Sequence, residues 1–306
     1  MKKILFSMLI ILFLISGINA NTTRDLKSGP DYNSEKIKKN IILYLNLERV
    51  NMGNPPLIIN RILNSAAQWH SDYMAEAEIL SHITGTKGMH DVEQRVVHFG
   101  EKIDRYSEII SGSYSVSADG VTSEKKKDSE GEYVDFGKVS VYWLSETEIA
   151  MAMIKKILAD PRYTNYLSNE KLNSIGGGVS GGKINGIKAW YASFAIVEKK
   201  GLLRFMLKMN FKKEIIKKKE NGKEIDETVV RYSISGFAAG SKVALLAINP
   251  AGVYKTFDSK VPGNEFFFRI DDTFRSKLAD DEKLYFATYD EENDTYYPVL
   301  RIEVLK

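Results

Sequence analysis

The chain has 306 residues, 43% hydrophobic and 27% charged, with a formal net charge of +3 and no cysteine. That length allows one large or two ordinary domains, and that composition supports a packed core. The small net charge gives no basis for nucleic-acid binding. The missing cysteines exclude disulfides, thiolate metal sites, cysteine nucleophiles and a lipidated N-terminal cysteine.

Residues 1–20 read as a signal peptide. Lys2 and Lys3 open it, Ile4 to Ile15 is its apolar run, and Ser16-Gly17-Ile18-Asn19-Ala20 is a small-residue exit. The run is short for a membrane span of roughly twenty residues. An uncleaved anchor is the alternative, and no span is expected in the mature chain. The expected location is secreted or periplasmic, with cell-surface association left open. Residues 21–34, with Ser28-Gly29-Pro30, form a polar linker.

A helix is expected from Ser34 to Val50, with Ile37, Ile41, Tyr44 and Leu45 on one face. Gly53 and Pro55-Pro56 stop it. A second helix starts on Asn60 as N-cap and repeats Leu63, Ala66, Ala67, His70, Met74 and Ala77 at helical spacing. His70 lies on that apolar face and reads as a core histidine rather than a ligand. A third helix opens at Asp91, with Gln94 three residues on. From Ser111 to Tyr133 the chain is polar, and Glu124-Lys125-Lys126-Lys127-Asp128 marks an exposed loop. Val139–Trp143 alternates like a strand. Ser145 and Glu148 form a capping box for a helix that Pro161 ends. Asn173–Val179 and Ile187–Val197 read as a hairpin, with turn signals at Ser180–Lys183 and Asn185-Gly186.

After Lys200 the pattern changes. Residues 201–228 form a basic connector, in which 204–224 interleaves lysines with Phe205, Phe211, Ile215 and Ile216. Its readings are a surface for anionic lipid or a wall polymer, or a solvated strand pair. Residues 229–306 hold short strands separated by Gly, Pro and Asn turns, the spacing of a small β-sandwich.

Several positions, in order, resemble the CAP superfamily of cysteine-rich secretory proteins, antigen 5 and pathogenesis-related 1 proteins. These are Asn46 and Arg49; Gly53, Pro56, Leu57 and Asn60; Leu63, Ala67, His70 and Met74; His82; Arg95 and Gly100; Glu108; Gly112; Asp160-Pro161-Arg162-Tyr163; Ile175-Gly176-Gly177-Gly178; and Trp190 to Phe194. The resemblance covers residues 35–200 and implies a CAP (SCP-like) domain. The chain is then expected to be α+β, a CAP-type α-β-α sandwich followed by a small all-β, Ig-like β-sandwich. The lack of cysteine resembles bacterial members.

The resemblance also implies a groove lined by two histidines and two acidic residues, a set able to hold a divalent metal. Here His82 and Glu108 fall on the first histidine and the glutamate, Tyr163 replaces the second histidine, and Asp160 is the nearest match to the second acid. The ligand-groove set is therefore His82, Glu108, Asp160 and Tyr163. His82 and Glu108 alone are few for zinc, which takes three or four protein ligands; a weakly held divalent ion is the one cofactor the pair would suit. A histidine beside a carboxylate is half of a general-base device, but no nucleophile motif accompanies it, so no catalytic residue is assigned. The expected partner is a small apolar or lipid-like ligand, of the kind the family holds, or a protein or envelope partner. The alternative is a metal-dependent or hydrolytic site built on His82 and Glu108.

Overall fold

The computed structural model describes residues 30–119, 123–128, 131–136, 140–199, 208–220, 222–235, 242–260, 265–269, 274 and 276–302. The expected signal peptide, residues 21–29 of the linker, residues 201–207 of the connector and residues 303–306 lie outside them.

Helix α1 (Ser34–Asn51) starts on Asn33, whose side chain accepts from the Lys36 amide. It stops at Gly53, where φ is 82° and the Asn54 N–H returns to the Arg49 carbonyl at 2.8 Å. Glycine takes this left-handed position without the Cβ penalty that other residues meet. Strand β1 (Ile58–Ile59) leads into α2 (Arg61–Glu76), capped by Asn60 as expected. Helix α3 (Val92–His98) follows, capped by Asp91. Next come β2 (Tyr106–Tyr114), β3 (Val116–Asp119), β4 (Ser123–Asp128), β5 (Gly131–Phe136) and β6 (Ser140–Trp143). Strands thus occupy much of the polar stretch expected to be loop. Helix α4 (Glu146–Ala159) opens on the reciprocal Ser145–Glu148 capping box. Pro161 ends α4, as expected, and also opens α5 (Pro161–Ser168) with Asp160 as its N-cap. Proline suits a first helical position because its missing N–H would have had no partner there.

Strands β7 (Ser174–Ile184) and β8 (Ile187–Val197) form the expected hairpin. It turns only at Asn185-Gly186, with φ of 53° and 79°, as a two-residue I′ turn requires. The Ser180–Lys183 segment runs on as strand. The central sheet has the order β1-β7-β8-β2, with β1 parallel to β7 and the other pairs antiparallel.

Alternate residues of β8 serve opposite faces of this sheet. Phe194 and Ile196 share a core with Ile37 and Ile41 of α1 and with Met153 and Ile157 of α4. Ala195 and Val197 pack with Leu63 and Ala66 of α2 and with Val92 and Val96 of α3. Helix α2 lies directly on β7. A Cβ at Gly176 would come 2.0 Å from the Leu63 carbonyl carbon, and one at Gly178 would come 2.3 Å from the Gln68 backbone. Only glycine fits at both positions.

The C-terminal part holds β9 (Lys208–Glu220), β10 (Lys223–Ser235), β11 (Lys242–Ile248), β12 (Tyr254–Lys260), β13 (Glu265–Arg269), β14 (Lys283–Asp290) and β15 (Thr295–Ile302). They form a sheet of order β13-β10-β9 and a sheet of order β12-β11-β14-β15. Much of the basic connector is therefore the β9–β10 strand pair, with Ile215, Lys217 and Lys219 exposed.

Ala244 and Leu246 of β11 and Tyr285 and Ala287 of β14 belong to the core that contains α1. The Tyr285 hydroxyl meets the Asn51 side chain at 3.1 Å, and the Ile59 N–H donates to the Tyr297 hydroxyl at 3.1 Å. Packing from more than one side explains why the unbroken run Ile41–Leu47 is buried rather than one stripe of α1. The opposite face of this sheet contributes Val243, Leu245 and Phe286 to a second cluster. No helix among the described residues is long and apolar enough to cross a membrane.

Candidate functional site

Glu108 stands on β2, an edge strand of the central sheet. The residue is only 6% exposed, and both carboxylate oxygens are engaged. Oε1 faces His70 Nδ1 at 2.8 Å, the Arg95 guanidinium at 2.5 Å and the Ser193 hydroxyl at 3.1 Å. Oε2 faces His82 Nδ1 at 2.9 Å. Burial alone would raise the carboxyl pKa. Hydrogen bonds from His70 and His82, with the charges of His70 and Arg95, outweigh it and lower the pKa from 4.5 to about 2.

The far side of the His82 ring completes a chain. Its Nε2 lies 3.1 Å from the Tyr163 hydroxyl, which also accepts the Ile110 N–H at 3.4 Å. Nδ1 therefore carries the His82 proton and gives it to Glu108, while Nε2 accepts from Tyr163. His70 uses Nδ1 in the same way, and its Nε2 is buried with no hydrogen-bond partner.

Arg95 ties the cluster to its flanking loop. Its guanidinium donates to the carbonyls of His82 and His90 at 3.4 Å and 3.3 Å. One residue of α3 thus fixes both Glu108 and the backbone of His82.

Of the four expected groove residues, His82, Glu108 and Tyr163 come together. Asp160 stands three positions before Tyr163, but its carboxylate caps α5 through the Arg162 N–H at 2.9 Å and pairs with the Arg162 side chain at 2.7 Å. Those bonds hold its pKa below the usual carboxylate value. His90 and His98 are exposed. The residues that sequence reasoning did not place at the site are His70, Arg95 and Ser193. Arg95 and His70 carried a signal as positions matching the family pattern; Ser193 reaches Glu108 from 85 positions away and had only the strand that bears it.

No family model matches the sequence, and no curated protein matches it. Solved structures similar to the chain include two surface or extracellular proteins. One is an extracellular protein containing an SCP domain from Bacillus anthracis str. Ames, at 15% identity and a TM-score of 0.39, over 56% of this chain and 45% of that one. The other is an outer surface protein from Borrelia burgdorferi, at 14% identity and a TM-score of 0.37, over 56% of this chain and 99% of that one. The match therefore spans less than half of the Bacillus protein.

The donor set does not fit a divalent metal. The lone pairs of Glu108 are taken up by four donors, His82 has one nitrogen on Glu108 and the other on Tyr163, and Asp160 is turned to Arg162. Among the described residues no group of three or more His, Asp or Glu side chains is placed to hold an ion. The Ser193 hydroxyl that meets the pair donates to Glu108 Oε1 and is fully buried, so it faces no substrate. The hydroxyl on His82 Nε2 belongs to Tyr163, whose own pKa is raised by burial, the reverse of activation.

The rim differs in character from the cluster. His82 is 39% exposed at its side chain, and in the same loop Ile79, Leu80 and Ile83 are 50%, 49% and 55% exposed. Leu80 lies beside Gly112 of β2, since a Cβ there would stand 3.8 Å from Leu80 Cδ1. The loop leaves α2 through Glu78, which holds φ of 54° while the Ile79 N–H returns to the Met74 carbonyl at 3.1 Å. It thus runs alongside β2, placing Leu80 near Gly112 and His82 near Glu108.

Proposed function

We propose that the protein is an exported, non-enzymatic binding protein of the CAP type that holds a small apolar or lipid-like ligand along the rim around His82. In this reading residues 1–20 direct export, residues 35–200 are a CAP-type α-β-α unit, and residues 229–306 are an Ig-like β module. The site of action is secreted or periplasmic, at or near the cell surface.

One observation carries the reading. The hydrogen-bonding capacity of Glu108 is spent inside the protein, and the half-exposed His82 beside it has both ring nitrogens engaged, while its loop neighbours Ile79, Leu80 and Ile83 are offered to solvent. A site built for hydrolysis or metal chemistry leaves polar groups free to meet the reacting atoms. A binding rim does the opposite and exposes apolar surface. The glutamate cluster then acts as a latch, holding the 78–83 loop against β2 through His82 and Arg95.

The test is a titration of the chain from residue 21 to 306 with an environment-sensitive apolar dye. Wild-type protein is expected to bind the dye, and Leu80→Asp and Ile83→Asp, both at exposed positions, to lose it without loss of fold. Unchanged binding in both variants would refute the rim as the site. The alternative, a metal-dependent or hydrolytic site on His82 and Glu108, requires His82 Nε2 to leave Tyr163. A second reading, a protein or envelope partner, is favoured by the exposed Ile215, Lys217 and Lys219 of β9. Deleting residues 208–235 with no loss of surface binding would reject it.

A further inference from the structure

Strands β9 and β10 make a ribbon with one long unpaired edge. Their register runs unbroken from the Lys208–Ser235 pair to the Glu220–Lys223 pair. Strand β13 covers the other side of β10, but only over Val229–Ser233. Strand β9 is an edge strand along all of its 13 residues, and among the described residues no strand but β10 pairs with it. Alternate residues of such a strand turn their N–H and C=O groups outward, so about six residues of β9 offer both to a further strand. From Lys223 to Thr228 the ribbon has only two strands, an arrangement of marginal stability in water that a third strand strengthens.

The charges on its exposed face are laid out in columns. Ile215, Lys217 and Lys219 of β9 are exposed, and so are Glu224 and Asp226 of β10. Lys217 stands opposite Asp226 and Lys219 opposite Glu224, with a diagonal Lys217–Glu224 pair at 3.5 Å. That pair is 71% and 60% exposed, so solvent screens it and the ammonium remains able to meet a second acid. From β10 outward the face therefore reads acid, then base, then open edge. Opposite charges on neighbouring strands stabilise a sheet, and like charges directly opposite destabilise it. The column that fits next is acidic. The sequence of β9 points the same way, with six lysines against two glutamates.

These lysines exclude β9 of a second copy, whose own lysine column would repel them. The acidic strand β10 of a second copy fits poorly too, because β13 covers it from Val229 and leaves only Lys223–Thr228 to pair.

We infer that β9 binds an extended acidic segment of another protein, which adds to its edge as a further strand. Alternate carboxylates of that segment lie beside Lys217 and Lys219, and an apolar residue lies beside Ile215. Backbone hydrogen bonds supply the affinity and the side-chain columns supply the selection. This rests on the partner reading of β9 above and adds the mode of binding and the chemistry of the partner.

The experiment titrates the chain from residue 21 to 306 with three labelled peptides, read by fluorescence anisotropy. One alternates Glu and Thr, the second alternates Lys and Thr, and the third is the Glu-Thr peptide with its backbone amides methylated. Only the first is expected to bind. Lys217→Thr with Lys219→Thr, both at exposed positions and both to a residue that suits strands, is expected to weaken it about tenfold, the worth of two cross-strand charge pairs. Binding that survives methylation would overturn strand addition, and equal binding of the Glu and Lys peptides would overturn the charge selection. Phosphatidylglycerol vesicles that bind where the Glu-Thr peptide does not would overturn the inference in favour of a membrane surface. A dimer of the chain alone that the peptide cannot displace would overturn it in favour of a second copy. The partner reading itself falls separately, if deleting residues 208–235 leaves surface binding intact.

Discussion

Two buried arginines divide the molecule by purpose. Arg49, fully buried on α1, meets only carbonyls: Pro55 at 2.9 Å, Leu167 at 2.7 Å, Asn169 at 3.2 Å and Leu172 at 2.9 Å. Asn46, one turn earlier, brackets the Leu57 backbone with both ends of its amide. Together they clamp the turn after α1 to the segment before β7. Burial lowers the Arg49 pKa to about 10, still far above neutral pH, so this clamp does not respond to acid. Arg95 is buried as deeply but faces a carboxylate with two histidines, one of them part-exposed. The first centre uses fixed dipoles and has no route to solvent chemistry. The second uses titratable groups, and its state reaches the surface through His82.

The largest expected effects come from breaking either centre. Glu108→Gln leaves Arg95 buried without its counter-ion and is expected to cost about 4 kcal/mol, read by denaturant unfolding. Arg49→Met strands four carbonyls at once and is expected to cost a similar amount, of order 4 kcal/mol. The pair Arg95→Met with Glu108→Leu sharpens the contrast, because removing both charges is expected to cost less than Glu108→Gln alone. A double variant less stable than the single one would contradict the ion pair as the core of the latch.

Acid separates the centres next. The Glu108 pKa is depressed when folded, so its stabilisation is complete above the ordinary carboxylate value and is lost as pH falls from about 4.5 toward 2. The loss should reach about 3 kcal/mol. In Glu108→Gln the slope of stability in that window is expected to shrink, whereas in Arg49→Met it should persist. Equal slopes in wild type and Glu108→Gln would show that the carboxylate is not held down by the fold.

The smallest expected effect is at the outer end of the chain of bonds. Tyr163→Phe removes the acceptor of the Ile110 N–H and the donor to His82 Nε2, and is expected to cost about 1–2 kcal/mol. His82→Ala should cost a comparable amount, and the two together less than their sum, since they share one bond. Strict additivity would mean that the His82–Tyr163 contact contributes nothing.

Much of the fold was legible because local chemistry marked it. Asn60, Asp91 and the Ser145–Glu148 box set helix starts, Gly53 set a stop, and Asn185-Gly186 set the hairpin turn. Strand β2 was missed for a physical reason. Its second half, with Ser111 and Ser113, reads as the start of a polar loop, yet both serines are buried, and Glu108 in its first half holds the latch. Sequence spacing placed only Ile37, Ile41, Tyr44 and Leu45 on one face of α1; the whole run Ile41–Leu47 is buried because a second partner lies some 200 positions onward in β11 and β14. At the site, the order of family-like positions brought out His82, Glu108 and Tyr163. It could not show that His70 points at Glu108, because a core histidine and a hydrogen-bonded one share the same helical spacing.

The central claim is that a closed glutamate latch supports a ligand-binding rim. Native mass spectrometry of the chain from residue 21 to 306, prepared with and without added zinc, tests it most directly. The expected result is a retained apolar or amphiphilic mass and no stoichiometric metal in either preparation. One zinc per chain that disappears in His82→Ala would contradict the claim, because it would require His82 to release Tyr163 or Glu108 in favour of the ion.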